Sequence, residues 1–295
     1  MAFEIPDHYH LAFTSNVELL LQQEDSRFEM CVDGDTYTGE SAQVVKQFGE
    51  VEFQEKTSRL SDTNFSEIEH RQRWVDPRDF DNALPVERED ELRMLDSPTS
   101  PYAKAQAAAW NRKKDDLIIE ASTGSAKTGV RGGTSTPFDD TNFQVAVDFT
   151  IDGSPVTSGL TIQKLTEAKR LLDAAECPMD NRYFAASSYQ LQDLLNTTQI
   201  TSSDYNSVKA LVQGEVNTFM GFMFKRSERL GVASSVRSCL AWHKSGLHLG
   251  MWGGLFTRIG ERPDKKYLTQ VFMKGTMGAT RTNEEKVVEI LCSEA

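Results

Sequence analysis

The chain has 295 residues, of which 39% are hydrophobic and 26% charged, with a formal net charge of -12. That is enough chain to bury a core as one large or two ordinary domains, and too much apolar content for wholesale disorder. Residues 1–100 carry -14, residues 101–200 carry -2 and residues 201–295 carry +4, which argues against a nucleic-acid reader, because such a protein needs clustered Lys and Arg to displace counterions from phosphate.

The chain opens on an arm in which Val17, Leu20 and Leu21 fall on one helical face. The stripe is too short for an independent core and must dock elsewhere. Val44 to Glu55 and Ser66 to Val75 alternate in the strand sense, with the polar turn Leu60-Ser61-Asp62-Thr63-Asn64-Phe65 between them, and predict a long hairpin. Its apolar side chains are few, chiefly Val51, Phe53, Ile68 and Trp74. A two-stranded ribbon of this kind is marginal in water, so either it is floppy or a neighbour supports it.

Pro98-Thr99-Ser100-Pro101 then announces the clearest helix, with Ser100 at the N-cap, Pro101 at the first helical position and Tyr102 to Ala121 free of breakers. About 20 residues at ~1.5 Å each give a spine of roughly 30 Å. Gly124 is expected to end it in the left-handed conformation, ahead of a Gly/Ser/Thr loop from Thr123 to Thr136. Phe143 to Ile151 reads as a strand, and Thr161 to Glu176 as a helix whose face carries Ile162, Leu165, Ala168, Leu172 and Ala175 before Pro178 stops it. Arg182 to Ala186 reads as a buried strand, and Ser187 with Gln190 as a capping box opening a helix with Leu191, Leu194 and Leu195 inward. Val216 through Phe224, Leu240 to Trp242 and Tyr267 to Met277 read as strands joined by Gly-containing turns.

Catalytic chemistry is sparse in the pattern. Gly124-Ser125-Ala126-Lys127-Thr128-Gly129 ends like a phosphate-binding loop, but it follows a helix, Ala126 replaces the glycine before Lys127, and no glycine lies five residues ahead of that lysine. His8 with His10, and His243 with His248, lack the spacing of a zinc motif. Cys31, Cys177, Cys239 and Cys292 are scattered without a C-x-x-C and read as reduced thiols. There is no run of eighteen apolar residues, and Met1 to Asp7 has neither the basic nor the apolar region of a signal peptide, so a cytosol-like compartment is expected. No catalytic, metal or cofactor-binding residues are assigned.

The order of arm, polar hairpin, spine helix, α/β layer and strand-rich end resembles that of tailed-phage major capsid proteins, whose fold is shared with encapsulins and herpesvirus capsid floors. Four stretches carry the likeness: Ala83-Leu84-Pro85-Val86 with Asp90 to Met94 and Asp96-Ser97-Pro98; Ala107 to Ala109 through Asp115 to Ile119 and Gly124; Cys177 to Phe184, then Asp204-Tyr205 and Gly214 to Phe222; and Leu240 to Leu247, followed by Arg262 to Lys265. The resemblance implies an α+β fold with an N-terminal arm over residues 1–40 and an extended hairpin loop with its flank over 41–95. It further implies a peripheral domain with the spine over 96–155, an axial α/β domain over 156–255 and strands returning to the peripheral domain over 256–295.

The same resemblance implies a non-enzymatic head protein that assembles as hexamers and pentamers into an icosahedral shell around double-stranded DNA, with an encapsulin-like compartment shell as the alternative. Its partners would be itself, a portal protein and a decoration protein, with DNA held only by non-specific proximity and no membrane. Its place would be the virion capsid, after assembly in the host cytoplasm. About forty residues precede the hairpin, so a separate scaffolding protein is expected in place of an internal scaffold segment. Some members weld subunits through a hairpin lysine; here Lys46 and Lys56, near the hairpin base, are the only lysines in residues 41–95, and noncovalent cohesion is expected. Arg59, Phe65, Arg71, Arg73, Trp74, Arg78 and Phe80, set among dense carboxylates, are the candidate intersubunit residues. The competing reading has Trp74 and Phe80 tucked into their own subunit.

Overall fold

The computed structural model describes residues 22–53, 55, 59, 65–86, 99–151, 153, 155–196 and 218–294. The N-terminal helical stripe and most of the hairpin turn lie outside them. In chain order the first strands are β1 (Asp33–Tyr37), β2 (Ala42–Phe48), β3 (His70–Val75) and β4 (Arg78–Val86), followed by helix α1 (Thr99–Thr123). Next come β5 (Ala126–Thr128), β6 (Thr134–Thr136), β7 (Gln144–Val145), α2 (Ile162–Ala174), β8 (Arg182–Ala186) and α3 (Ser188–Asn196). The remainder is strand: β9 (Thr218–Phe219), β10 (Phe222–Arg226), β11 (Val232–Ala233), β12 (Val236–His243), β13 (Leu247–Arg262), β14 (Leu268–Arg281) and β15 (Val287–Ser293).

The main core surrounds a seven-stranded sheet, ordered β7-β15-β12-β8-β10-β9 with β11 on β12. β8 is buried at every residue, as expected of a central strand covered on both faces. Cys239, Ala241, Val288, Ile290 and Cys292 alternate with Leu240, Trp242 and Val287, and all are buried, so both faces of β12 and β15 are covered. On α2 the predicted face is buried at Leu165, Ala168 and Leu172, and Thr161 caps the helix by accepting from the Lys164 N–H. Lys164 is also fully buried. Its ammonium donates to the carbonyls of Val147, Ser158 and Leu291 at 2.8, 2.8 and 2.9 Å, and burial pushes its pKa down. The capping box forms, with Gln190 Oε1 accepting from both the N–H and the hydroxyl of Ser187.

A second sheet, β1-β13-β14-β4, is antiparallel except for β1, which runs parallel to β13. α1 packs beneath it. Trp110 lies against Gly275, Gln106 donates to the Val271 carbonyl at 3.0 Å, and Val271 and Met273 are buried. By alternation, Phe272 and Lys274 point to the other face. A third, small sheet runs β2-β3-β5-β6.

Five local expectations are corrected. α1 begins at Thr99, so Ser100 and Pro101 lie inside its first turn, where N–H groups have no intrahelical acceptor to lose. Gly124 is outside the left-handed region; a Cβ there would meet the Glu120 carbonyl at 2.5 Å, so close approach is what requires glycine. The 123–136 segment is a short hairpin, β5 and β6, paired to β3. Strand structure within 143–151 is limited to β7, because the Val147 carbonyl turns to accept from Ser158 N–H and Lys164. Finally, β15 pairs with β12 in the seven-stranded sheet, so residues 256–295 divide between two sheets.

Candidate intersubunit surface

The hairpin of β2 and β3 runs from Ala42 opposite Val75 to Phe48 opposite His70, and Gly49 N–H adds one more bond to the Glu69 carbonyl at 2.7 Å. Its base is bolted to the rest of the chain. Arg73 is 4% exposed and pairs with Glu284 Oε1 at 2.9 Å. The other carboxylate oxygen of Glu284 accepts from Arg281 Nε. Arg281, fully buried, also donates through Nη1 to the carbonyls of Ser122 and Gly124 at 2.8 Å each. These carbonyls belong to the C-terminal end of α1, where acceptors lack partners and a cation meets the negative end of the helix dipole. Burial pushes the Arg281 pKa down, against the opposing pull of Glu284. Gln47 donates to the Thr282 carbonyl at 2.9 Å, and Lys127 pairs with Asp76.

Four of the seven candidate residues are therefore held against elements of their own chain other than the β2–β3 hairpin. Besides Arg73, Trp74 is half-buried and donates from Nε1 to the Gly129 carbonyl at 2.9 Å. Arg78 forms a fork with both oxygens of Glu120 on α1, at 2.8 and 3.0 Å. Phe80 meets Trp110 edge-on with centroids 6.5 Å apart, and the Lys113 ammonium sits 5.1 Å from its ring centre. The β5–β6 hairpin supplies the support for Trp74, through a turn whose backbone carbonyl carries no residue-type signature.

The other three lie on the outer arm. Arg59 is exposed, Phe65 is 93% exposed, and Arg71 grips Glu69 at 2.9 and 3.0 Å, holding that carboxyl below its ordinary pKa. With Phe65 stand Phe48, Val51, Phe53 and Ile68, all exposed, Phe53 completely so. In the sequence Val51, Phe53 and Ile68 count only as the few apolar side chains of an otherwise polar ribbon. Their signal was already present: apolar side chains on two strands too polar to form a core.

The N-terminal segment is fastened to the spine. Buried Asp115 accepts from Ser26 Oγ at 2.6 Å, from the backbone N–H groups of Arg27 and Phe28, and from Gln23. Lys114 pairs with Glu29 at 2.7 Å, and Trp242 Nε1 donates to the Cys31 carbonyl at 2.9 Å. The Gly124–Gly129 segment contains strand β5, with Lys127 committed to Asp76, which is not the setting of a phosphate cradle. His243 bonds Ser245, and His248 Nε2 bonds the Tyr37 hydroxyl at 2.9 Å; His8 and His10 lie outside the described residues. All four cysteines are buried free thiols. Among the described residues no group of His, Cys, Asp or Glu could hold a metal ion.

A chain with an anchored base, a long outward arm bearing unburied aromatic residues, a spine helix under one sheet and a second α/β core has the architecture of a subunit built to contact copies of itself. Solved phage capsids share it. The fold matches a capsid of cyanophage P-SCSP1u at 16% identity with TM-score 0.70, covering 98% of this chain and 94% of that one. It matches the cyanophage Pam1 capsid at 12% identity with TM-score 0.73, covering 100% and 99%. The capsid of Ralstonia phage GP4 matches at 12% identity with TM-score 0.72, covering 99% and 97%. A search of curated proteins finds no match. The sequence model of the phage capsid protein family matches residues 5–294, and the chain belongs to that family.

Proposed function

We propose that this chain is the major head protein of a tailed phage and assembles as hexamers and pentamers into an icosahedral shell around double-stranded DNA. The carrying observation is the outer arm, where Phe48, Val51, Phe53, Phe65 and Ile68 are exposed apolar side chains, a surface suited to burial against another molecule. A rigid base and an apolar arm together suit a clamp on a neighbouring subunit. Helix α1 with β4, β13 and β14 would form the peripheral part, and the seven-stranded sheet the axial part. The intersubunit role belongs to Arg59, Phe65 and Arg71 together with the exposed apolar residues of the arm. Arg73, Trp74, Arg78 and Phe80 set the direction in which the arm leaves the body.

The role is structural and non-enzymatic. Assembly in the host cytoplasm would use a separate scaffolding protein and a portal protein, with a decoration protein as a further partner. DNA would meet the shell only by non-specific proximity, since the net charge is -12. The test is expression with and without a co-expressed scaffold, followed by sedimentation and electron microscopy. Shells, tubes or capsomers are expected; a monodisperse monomer under every condition overturns the reading.

A further inference from the structure

We propose that the hollow between helix α1 and strands β4 and β14 is a small-molecule site for a short carboxylate carrying a 4-hydroxyphenyl ring, held by Gln106 at one end and Lys113 at the other. The inference goes beyond the shell reading and does not depend on it, because the site lies within one subunit.

The hollow has a volume of about 200 Å³, and an apolar cavity of ~150 Å³ suffices for a benzene ring. Phe80 and Trp110 wall it, and Ala109 and Met273 complete the apolar lining. Trp110 is fixed in place by Gly275, where a Cβ would meet its ring at 2.5 Å. Asp81 and Lys274 also border the hollow and lie opposite each other across the ladder. They follow Phe80 and Met273 directly in sequence, so by alternation their side chains point to the other face of the sheet. Lys274 accordingly sits over the Phe256 ring, 5.5 Å from its centre. What remains is an apolar pocket with a few placed polar groups, the usual make-up of a small-molecule site.

The polar groups define the ligand. Gln106 lines the hollow and is 3% exposed. Its Nε2 donates to the carbonyls of Val271 and Asn82 at 3.0 and 3.4 Å, while Oε1 is buried without a hydrogen-bond partner. A buried acceptor in that state calls for a donor, and a hydroxyl supplies one without bringing a charge that burial would penalise. At the other end the Lys113 ammonium lies 5.1 Å from the Phe80 ring centre. Its neighbour Lys114 holds Glu29, whereas Lys113 has no carboxylate partner among the described residues and is suited to an anion. Gln106, Trp110 and Lys113 share one face of α1, and seven residues of helix span about 10.5 Å. A ligand that meets both ends therefore carries its donor and its anion on opposite sides of a ring, which is para substitution with a short acidic tail.

The test is calorimetric titration of the unassembled full-length subunit with 3-(4-hydroxyphenyl)propionate. A Kd of roughly 0.1–1 mM is expected for a ligand of about a dozen heavy atoms. 3-Phenylpropionate, which lacks the hydroxyl, should bind about tenfold more weakly. 4-Propylphenol, which lacks the carboxylate, should bind about fivefold more weakly. Gln106→Leu should erase the first difference and keep the second, and Lys113→Met should erase the second and keep the first. Because Gln106 also holds the Val271 carbonyl, Lys113→Met carries the test if Gln106→Leu fails to fold. No binding to the wild-type subunit at concentrations about tenfold above that range, equal affinity for the three ligands, or discrimination that survives Lys113→Met unchanged overturns the site. None of these results touches the shell reading, which stands or falls on assembly.

Discussion

Replacing Arg281 with Met tests whether the junction of arm, spine and second sheet holds the subunit together. The guanidinium is fully buried, donates to the Ser122 and Gly124 carbonyls at 2.8 Å and shares Glu284 with Arg73. Methionine fills most of the volume but leaves two helix-end carbonyls without a donor and Glu284 with one cation in place of two. Removing one member of a buried ion pair costs ~3–5 kcal/mol, so a loss of about 4 kcal/mol of subunit stability is expected. At ~2.1 cal/mol/K of unfolding entropy per residue, that lowers Tm by roughly 6–7 °C for a chain of 295 residues. Arg281→Lys keeps the charge, but one ammonium does not span Glu284 and both carbonyls, and about half the loss should remain. The assay is urea unfolding of the unassembled subunit, read as a shift in midpoint at constant slope. A loss under about 1 kcal/mol for Arg281→Met, or equal losses for the two variants, refutes the assignment of Arg281 as the bolt.

Trp74→Phe should cost about 1 kcal/mol of subunit stability through the lost hydrogen bond to the Gly129 carbonyl; a change confined to assembly, with unfolding untouched, would instead place Trp74 at an interface. His243 and His248 are both held below the ordinary histidine pKa of about 6.5, first of all by burial. Asp33 and Asp35 oppose that shift at His248. As pH falls below ~6.5 the unfolded chain takes up protons that the native histidines refuse, so stability drops with acidification. His248→Gln should flatten that slope, and an unaltered pH profile from pH 7 to 5 would contradict it. Shell cohesion is expected to be noncovalent, so boiled, reduced particles should run as a single band near the 33.1 kDa chain mass, and a ladder of covalent oligomers would end that expectation.

Local pattern was sufficient wherever an element's own residues decide its state. The uninterrupted run after Pro101 specified the spine, period 3.6 with Pro178 specified α2, Ser187 with Gln190 specified the cap of α3, and alternation specified the pairing of β2 with β3. Order along the chain then pointed to the family. Partnership across long sequence separations was not legible. Whether Trp74 faces a neighbour or its own chain depends on the Gly129 carbonyl, 55 residues away. Whether Arg73 is exposed depends on Glu284, separated from it by 211 residues. β15 joins the seven-stranded sheet because β12 offers it a buried ladder, and β13 runs through Gly253 and Gly254 by a bulge between Trp252 and Phe256 where the sequence reads as a turn. The residues themselves determined that an arm exists, that it is acidic and that it carries few apolar side chains of its own. Tertiary structure alone decided which of its side chains are satisfied at home and which are left for another molecule, because burial and ion pairing are set by what the fold brings alongside, not by neighbours in the chain.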